Sequence, residues 1–477
     1  MYPHAGFYPM FQRYFDAGLA QASYLLACDR TRESVLIDPR RDVDVYVAAA
    51  AQSNLKIVAA IETHIHADFV SGARELQSIG VQTLAGPGSS LKFPSREMKH
   101  NERLTLGDLT LRFLHTPGHT PEHISIVAEN RGEPPRLFTG DTLFVGAVGR
   151  PDLLGESLMR KLAGDLYDSL FHTLLALDDD VQVHPGHGAG SLCGAGIGVE
   201  PFSTIDRERA FNPLLAHTDR DRFIASVLGD LPETPPYFAR MKRLNCDGPP
   251  VLDLARGYRG ITALDLDSAA QAVRNGAVPI DLCDDDAVCG EHLSTSLRIA
   301  FGPKIGYWAG WVLAAGSRLV LLTPDEKRAA EAGRQLLRVG FDTIEGYVAA
   351  PAAAWSAAGF PVSRVQQISV ADLRERFDGG GALTLIDVRS DREWNAGHAA
   401  GAIHVPIGDV HARSAEFDKD TALATICEGG YRSMLAATIL MRAGFLNVLN
   451  VAGGMTAYRN SAEQEKREKR EEREMGR

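Results

Sequence analysis

The stretch that decides the fold of the N-terminal half reads Thr63-His64-Ile65-His66-Ala67-Asp68-Phe69. It follows a mostly apolar run, residues 55–61, which is typical of a buried strand. His64 and His66 are two residues apart, so in an extended segment their side chains project to the same side. Histidine and aspartate side chains in a loop after a strand are typical of a metal site.

Three later segments also place potential metal ligands after strand-like runs: Thr116-Pro117-Gly118-His119, Thr139-Gly140-Asp141 and His184-Pro185-Gly186-His187. Loops at the ends of strands can converge on one point, and neutral imidazoles together with a carboxylate suit Zn or Fe. The sequence therefore predicts a metal cluster built on His64, His66, His119 and Asp141.

This set of motifs resembles the metallo-β-lactamase superfamily, whose fold is an αββα sandwich, and the resemblance covers about residues 1–245. The usual motif of that family is HxHxDH, and Phe69 stands at its last position here. In binuclear members such as glyoxalase II, that histidine and the motif aspartate hold the second metal. Phe69 offers no lone pair, so the resemblance implies one ion rather than two.

A mononuclear site with two histidines and one carboxylate is the arrangement of non-haem Fe(II) oxygenases. The persulfide dioxygenase branch of the superfamily uses such a triad. Mapped by motif, the resemblance implies one Fe(II) per chain, with Zn as the alternative, held by His64, His119 and Asp141. It also implies that three further residues orient the ligands or bound water: His66, Asp68 and His187.

A Gly-Arg pair, Gly149-Arg150, follows the Asp141 loop. Family members carry such a pair near the substrate. The resemblance implies that Arg150 binds a substrate carboxylate through paired hydrogen bonds. A structural arginine in a turn is the alternative.

The second half carries one pattern twice, in residues 255–358 and 362–460. Ile280-Asp281-Leu282 matches Ile386-Asp387-Val388, and Leu322-Thr323 matches Ile426-Cys427. Self-similarity at a nearly fixed offset predicts a tandem duplication of one α/β domain. We call these segments the first and the second repeat.

The second repeat contains Ile426-Cys427-Glu428-Gly429-Gly430-Tyr431-Arg432-Ser433 between a predicted strand and a helix expected from Ser433. A glycine pair lets backbone N–H groups form an anion-binding nest. The helix N-terminus and Arg432 add positive charge, which favours a reactive thiolate at Cys427. We therefore predict Cys427 and Arg432 as catalytic residues and the loop between them as substrate-binding: Glu428, Gly429, Gly430 and Tyr431.

This loop resembles that of the rhodanese sulfurtransferases, over about residues 362–460. Cysteine phosphatases, the main alternative, have five residues between cysteine and arginine. Four stand here, which favours the smaller sulfane sulfur. The first repeat has Thr323 at the aligned position and lacks the glycine pair, so we expect it to serve in packing, spacing or an interface rather than in sulfur transfer.

Composition and charge narrow the classes of function that the sequence allows. The net charge of −11 argues against broad nucleic-acid binding and, more weakly, against anionic membranes. The first fifteen residues lack the features of a signal peptide, and the apolar run 307–322 is too short for a membrane span. We expect a cytoplasmic protein, compatible with a homo-oligomer, and a charged helical tail at 461–477.

Six cysteines in a chain of 477 residues form no dense disulfide framework. Apart from Cys427, we interpret them as structural, with Cys193 as a candidate for lining the metal pocket: Cys28, Cys193, Cys246, Cys283 and Cys289.

The pattern as a whole favours an α/β protein with an αββα metal domain followed by two rhodanese-like domains. The favoured function is oxidation of a low-molecular-weight thiol persulfide, such as glutathione persulfide, by O2 to sulfite, coupled to sulfur transfer that makes or uses thiosulfate. Two alternatives stay open: a zinc-dependent thioester hydrolase of the glyoxalase II kind, and a non-oxidative persulfide carrier.

Overall fold

The structure is a computed structural model that describes residues 11–130, 133–283, 290–378 and 383–475. Most of the segment judged for a signal peptide, together with Cys289 and the last two residues of the tail, lies outside the described residues. The chain forms two compact units, one reaching to Arg259 with Leu337–Gly340, the other comprising Gly260–Leu336 and Phe341 onward.

The first unit contains two six-stranded sheets. In spatial order the first sheet consists of Phe11–Asp16, Gln21–Ala27, Glu33–Ile37, Lys56–Ile61, Gln82–Ala85 and Arg96–Glu97. The second consists of Ser203–Thr204, Gln182–Pro185, Arg136–Gly140, Ile124–Asn130, Leu109–His115 and Arg103–Leu106. A short hairpin pairs Leu143–Phe144 with Ala147–Val148.

The two sheets pack face to face, because alternate apolar side chains of each strand point into one shared core. Tyr24 and Ile61 of the first sheet lie in the same buried cluster as Phe113 and Phe138 of the second. Helices cover the outer faces: Asp44–Gln52, Ala73–Gln77, Glu156–Ser169, the π-helical turn Leu170–Leu174, Ile205–Phe211, Arg220–Gly229 and Phe238–Asp247. The predicted αββα sandwich is confirmed.

The second unit contains two parallel sheets. One has the order Leu297–Arg298, Val278–Asp281, Leu319–Leu322 and Ile344–Val348, with helices Leu266–Arg274, Ile305–Val312, Glu326–Arg338 and Ala352–Ala357. The other has the order Ile403–His404, Leu383–Asp387, Ala422–Ile426, Val448–Val451 and Gln366–Ile368, with helices Val370–Asp378, Asp391–Asn395, Val410–Arg413, Tyr431–Arg442 and Gly454–Met475. His292–Leu293 pairs with Val362–Ser363.

Four strands of each sheet follow the same order in space and the same order along the chain. The strand Leu319–Leu322 occupies in the first repeat the place that Ala422–Ile426 occupies in the second. This shared topology supports the duplication inferred from the sequence. Among the described helices, none combines the length and the apolar character that crossing a bilayer requires.

Candidate active sites

Three loops of the sandwich bring His64, His119 and Asp141 together. The Oδ2 atom of Asp141 lies 3.7 Å from Nε2 of His64 and 3.5 Å from Nε2 of His119. All three side chains are buried, with at most 2% of their surface exposed. Their ligand atoms lie within 4.8 Å of one another, close enough to share one ion.

Hydrogen bonds at Nδ1 fix the orientation of the two histidines. Nδ1 of His119 donates to the carbonyl oxygen of Arg150 at 2.8 Å. Nδ1 of His64 lies 2.9 Å from the hydroxyl of Thr63, and that hydroxyl donates to Asp38 at 2.8 Å. The Thr63 oxygen therefore accepts from His64. In both rings the proton sits on Nδ1 and the lone pair on Nε2, which is how outer hydrogen bonds orient metal ligands.

The residues present fit a metal ion. Nε2 of His64 and both carboxylate oxygens of Asp141 are buried and have no hydrogen-bond partner, an arrangement that costs free energy unless a cation satisfies it. Burial and the neighbouring histidines hold the pKa of His64 well below its usual value, so the ring stays neutral. Two histidine nitrogens and one carboxylate are a donor set that would suit a non-haem Fe(II) ion.

His66 lies beside this group and is turned away from it. Its Nε2 atom is 3.2 Å from Oδ1 of Asp38 and 3.6 Å from Oε2 of Glu62. Burial by itself lowers the pKa of His66, but Asp38 and Glu62 outweigh it and raise this pKa to about 9. His66 thus contacts Asp38 and Glu62 through Nε2, whereas its buried Nδ1 atom has no hydrogen-bond partner.

Asp68, His187 and Cys193 form a second buried group next to the first. Nε2 of His187 lies 3.4 Å from Oδ2 of Asp68 and 3.5 Å from Oδ2 of Asp141. Both oxygens of Asp68 and Nε2 of His187 have no hydrogen-bond partner. The sequence offered Cys193 only as a lining candidate, and its one signal was its closeness to His187 along the chain. Burial raises the pKa of its thiol well above the usual value.

The side chain of Arg150, expected to bind a substrate carboxylate, donates its hydrogen bonds to groups of the protein. The side chain is only 2% exposed, and all five of its N–H groups are directed at protein oxygens. Nε and Nη2 bind the carboxylate of Asp152 at 2.8 and 2.7 Å. The remaining N–H groups donate to Leu192, Glu233 and Thr234. The backbone carbonyl of Arg150 contacts a predicted metal ligand, since it accepts a hydrogen bond from Nδ1 of His119.

Cys427 follows the strand Ala422–Ile426 and is 1% exposed. The helix begins at Tyr431, two residues before the predicted start, because Gly430 adopts the left-handed conformation (φ +104°) at the N-cap. The backbone N–H of Gly430 lies 3.1 Å from Sγ of Cys427, and the hydroxyl of Ser433 lies 3.3 Å from it. The sulfur thus receives one hydrogen bond from the loop backbone and one from the first turn of the helix.

Arg432 lies in the first turn of that helix and is held by Glu393. Its Nη1 and Nη2 atoms each lie 2.6 Å from a carboxylate oxygen of Glu393. Burial alone would raise the pKa of Glu393, but the bonds from Arg432 and Ser390 lower it to about 2. The sequence predicted Arg432 as a charge near the sulfur and did not predict the carboxylate that positions it.

The side chain of Glu428, predicted to bind substrate, contacts other residues of the second repeat. Its Oε2 atom lies 3.4 Å from Arg389, and Oε1 accepts from the hydroxyl of Thr456 at 2.9 Å and from Arg459. The side chain therefore braces the loop. In the first repeat, the equivalent strand ends at Leu322, Thr323 follows it, and the next helix begins at Glu326, which leaves a shorter loop.

Two regions of the chain match known protein families. Residues 17–187 match the metallo-beta-lactamase superfamily, and residues 369–461 match the rhodanese-like domain. A crystal structure of a metallo-beta-lactamase from Staphylococcus aureus is 33% identical and superposes with a TM-score of 0.62, covering 98% of that chain and 71% of this one. The chain belongs to the metallo-beta-lactamase superfamily.

Two curated relatives of this superfamily member carry different activities in their names. Cytoplasmic hydroxyacylglutathione hydrolase of Arabidopsis thaliana is 33% identical over 169 residues, and the match spans 62% of its length and 35% of this chain. The mitochondrial persulfide dioxygenase ETHE1 of Mus musculus is 27% identical over 213 residues, or 76% of its length and 43% of this chain.

Proposed function

We propose that this metallo-beta-lactamase superfamily member is a persulfide dioxygenase coupled to a rhodanese. It oxidises the persulfide of a low-molecular-weight thiol with O2 to sulfite at one Fe(II), and Cys427 makes or uses thiosulfate. The observation that carries the proposal is the convergence of two histidines and Asp141 in a chain that also places Cys427 beside a helix N-terminus.

His64, His119 and Asp141 would hold the ion. Fe(II) at such a site supplies activation of O2 for oxidation of a persulfide sulfur. The chain's own contribution is placement: Thr63 and the Arg150 carbonyl fix the two rings, and burial of the three ligands keeps bulk water away from the reacting groups.

The nucleophile of sulfur transfer would be the thiolate of Cys427. The thiolate attacks the outer sulfur of a persulfide, the S–S bond to the carrier thiol breaks, and the carrier leaves as its thiolate while Cys427 becomes a persulfide. Sulfite then attacks the outer sulfur of that persulfide, which releases thiosulfate and restores Cys427. The N–H of Gly430 lies beside Sγ of Cys427, which carries the negative charge before the first step and again after the second.

The fusion of the two domains supports this pairing of activities. Sulfite, the product of the first site, is a substrate of the second. Tethering two such sites in one chain raises the effective concentration of one near the other.

A zinc thioester hydrolase is the second candidate, and a specific observation favours it. Asp68, His187 and Cys193 bring three more ligand atoms within 4.8 Å of one another beside Asp141, which would suit a second ion. Phe69 counts against it, because its fully buried ring occupies the place of a ligand, 4.3 Å from the ring of His66.

Metal analysis with two assays separates the candidates. We expect about one iron per chain in protein purified without oxygen, O2 uptake with glutathione persulfide and sulfite as the product. Zinc with hydrolysis of S-lactoylglutathione and no O2 uptake would instead establish the hydrolase. Sulfur transfer without O2 uptake or hydrolysis would leave the persulfide carrier.

A further inference from the structure

Arg338 contacts three loops of the sandwich that lead to the candidate metal centre. It lies in the segment Leu337–Gly340, which belongs to the first unit although the residues before and after it belong to the second. The side chain is largely buried, with 12% of its surface exposed. Its contacts with Asp42, Asp16 and Val70 link this late segment to residues near the start of the chain.

The first of these loops carries Asp42. Nε and Nη2 of Arg338 donate to the two carboxylate oxygens of Asp42 at 3.0 and 2.6 Å, and Asp42 is fully buried. The same loop begins with Asp38, which accepts hydrogen bonds from the backbone N–H and the hydroxyl of Thr63, both at 2.8 Å. Because the Thr63 hydroxyl lies beside Nδ1 of His64, Arg338 fixes the loop that orients this candidate ligand.

The second loop is the turn that follows Asp16. Nη1 of Arg338 donates to Oδ2 of Asp16, and Oδ1 of Asp16 accepts from two backbone N–H groups of the turn at 2.7 and 3.0 Å. The turn ends at Ala20 with a φ of +51°, a strained conformation that persists only where neighbouring contacts enforce it. Nδ1 of His187 lies 3.1 Å from the Ala20 carbonyl oxygen, so Asp16 fixes the residue that orients His187.

The third loop continues the motif that contains the candidate ligand His64. The carbonyl oxygen of Arg338 accepts a hydrogen bond from the N–H of Val70 at 2.7 Å, two residues after Asp68. The side-chain amide of Asn245 donates to the carbonyl oxygen of Phe69 at 2.7 Å. Two residues from far along the chain therefore hold the backbone that places Asp68.

Charge balance explains why this position carries an arginine. Arg40 lies 3.8 Å from Oδ2 of Asp16 and 3.7 Å from Oδ1 of Asp42, distances too long for hydrogen bonds. Arg40 thus helps to balance the two buried carboxylates, whereas Arg338 supplies hydrogen bonds to both of them. Removing one partner from a buried group of charges leaves the others uncompensated, so these loops depend on the guanidinium of Arg338.

We propose that Arg338 is a positioning residue of the candidate metal centre. Through Asp42, Asp16 and Val70 it holds the loops that orient His64 and that place His187 and Asp68 beside the predicted ligands. This inference rests on the metal site of the proposed function and not on the reaction performed there. It also means that a segment 296 residues beyond Asp42 along the chain completes the surroundings of the metal.

Titration of the full-length, metal-free chain with Fe(II), without oxygen and in competition with a chelator, tests the proposal. Arg338→Met keeps the aliphatic part of the side chain and removes the guanidinium. We expect the Kd for Fe(II) to rise about tenfold, as is typical when the groups that orient metal ligands are lost. Arg338→Lys should recover part of this loss, because an ammonium keeps the charge but cannot form the paired bonds to Asp42.

Electron paramagnetic resonance of the Fe(II)-loaded chain treated with nitric oxide adds a readout of geometry. A positioning role predicts an altered signal in folded Arg338→Met and a signal closer to that of the wild type in Arg338→Lys. A purely structural role would lower the Tm and leave the signal of the folded protein unchanged. Arg209→Met is the matched control, because it breaks an arginine–carboxylate pair with Asp179 elsewhere in the first unit.

A wild-type Kd together with a wild-type signal in Arg338→Met would overturn the proposal. If Arg338→Met does not fold, Asp16→Asn decides. Its amide oxygen can still accept the two hydrogen bonds of the turn, whereas the charge that Arg338 binds is lost. We then expect a weaker Kd for Fe(II) in Asp16→Asn, and an unchanged Kd would contradict the role of Arg338.

Metal binding separates failure of this inference from failure of the proposed function, since the titration contains no persulfide. A wild-type chain that binds Fe(II) but takes up no O2 with glutathione persulfide would disprove the dioxygenase. The ratio of Kd values between Arg338→Met and the wild type would still decide the role of Arg338. If zinc is the resident ion, the same ratio is measured with Zn(II), and a wild-type chain that binds neither ion overturns the inference.

Discussion

Glu393 holds Arg432 through two parallel hydrogen bonds of 2.6 Å, and Arg432 is the positively charged residue in the first turn of the helix after the Cys427 loop. Paired bonds between a guanidinium and a carboxylate fix the planes of both groups. Glu393 is itself fixed by Ser390, whose hydroxyl lies 2.8 Å from Oε2. The position of the loop's positive charge therefore depends on a carboxylate 39 residues away.

The variant Glu393→Gln removes one partner of this pair. We expect sulfur transfer from thiosulfate to cyanide to fall by about tenfold or more, because a partly buried guanidinium loses its charged partner, worth about 1–3 kcal/mol. Asp391→Asn is the control, since the Asp391 side chain is 81% exposed. Equal rates for Glu393→Gln and the wild type would show that Arg432 needs no partner.

The same pair predicts an acid-dependent loss of stability. The pKa of Glu393 is about 2, below its ordinary value of 4.5, so its contribution to stability is present above 4.5 and is lost as the pH falls toward 2. Denaturant unfolding at a series of pH values, followed in the second unit, should show this decline for the wild type. Glu393→Gln should lack that component, and an identical decline in both proteins would contradict the assignment.

Arg150→Lys should weaken metal binding although Arg150 is not a predicted metal ligand. Lysine cannot reproduce the five donations that hold the Arg150 backbone, whose carbonyl orients His119. Loss of such an outer partner typically lowers metal affinity by about 10–100-fold. Competition with a chelator measures the change, and Arg160→Lys, at an exposed position, serves as the control. A wild-type metal affinity in Arg150→Lys would show that the contact between the Arg150 carbonyl and His119 does not affect metal binding.

Asp141→Asn should abolish metal binding and stabilise the metal-free protein. The two buried oxygens of Asp141 have no hydrogen-bond partner, so removing the charge relieves a desolvation cost of about 1–3 kcal/mol. Thermal unfolding without metal should give a higher Tm for the variant, and adding Fe(II) should raise only the wild-type Tm. A lower Tm for the metal-free variant would mean that Asp141 is structural.

Cys427→Ser should abolish thiosulfate turnover and leave O2 uptake with glutathione persulfide largely intact. The reason is that Cys427 lies on the second repeat, whereas the predicted metal ligands lie on the sandwich. Cys246→Ser is the control, because that thiol lies outside both sites and contacts Ser90. Loss of both activities together would show that the two reactions are obligately coupled.

Much of this architecture could be predicted because its signals are local. The types and the order of the candidate metal ligands could be predicted, because His64, His119 and Asp141 each follow a strand-like run in the sequence. The Cys427 loop follows from one contiguous motif, and the duplication follows from a repeated spacing. The start of the helix at Tyr431 escaped prediction, since it depends on the conformation that Gly430 adopts.

The sequence by itself therefore determined the fold class, the candidate ligand set and the identity of the candidate nucleophile. Only the tertiary structure decided that His66 pairs with Asp38, that the donors of Arg150 are all engaged, and that Cys193 joins Asp68 and His187. These outcomes rest on distances between loops far apart in the chain. A motif indicates which hydrogen-bond donors and acceptors a loop contains, whereas the tertiary fold determines which of them come into contact.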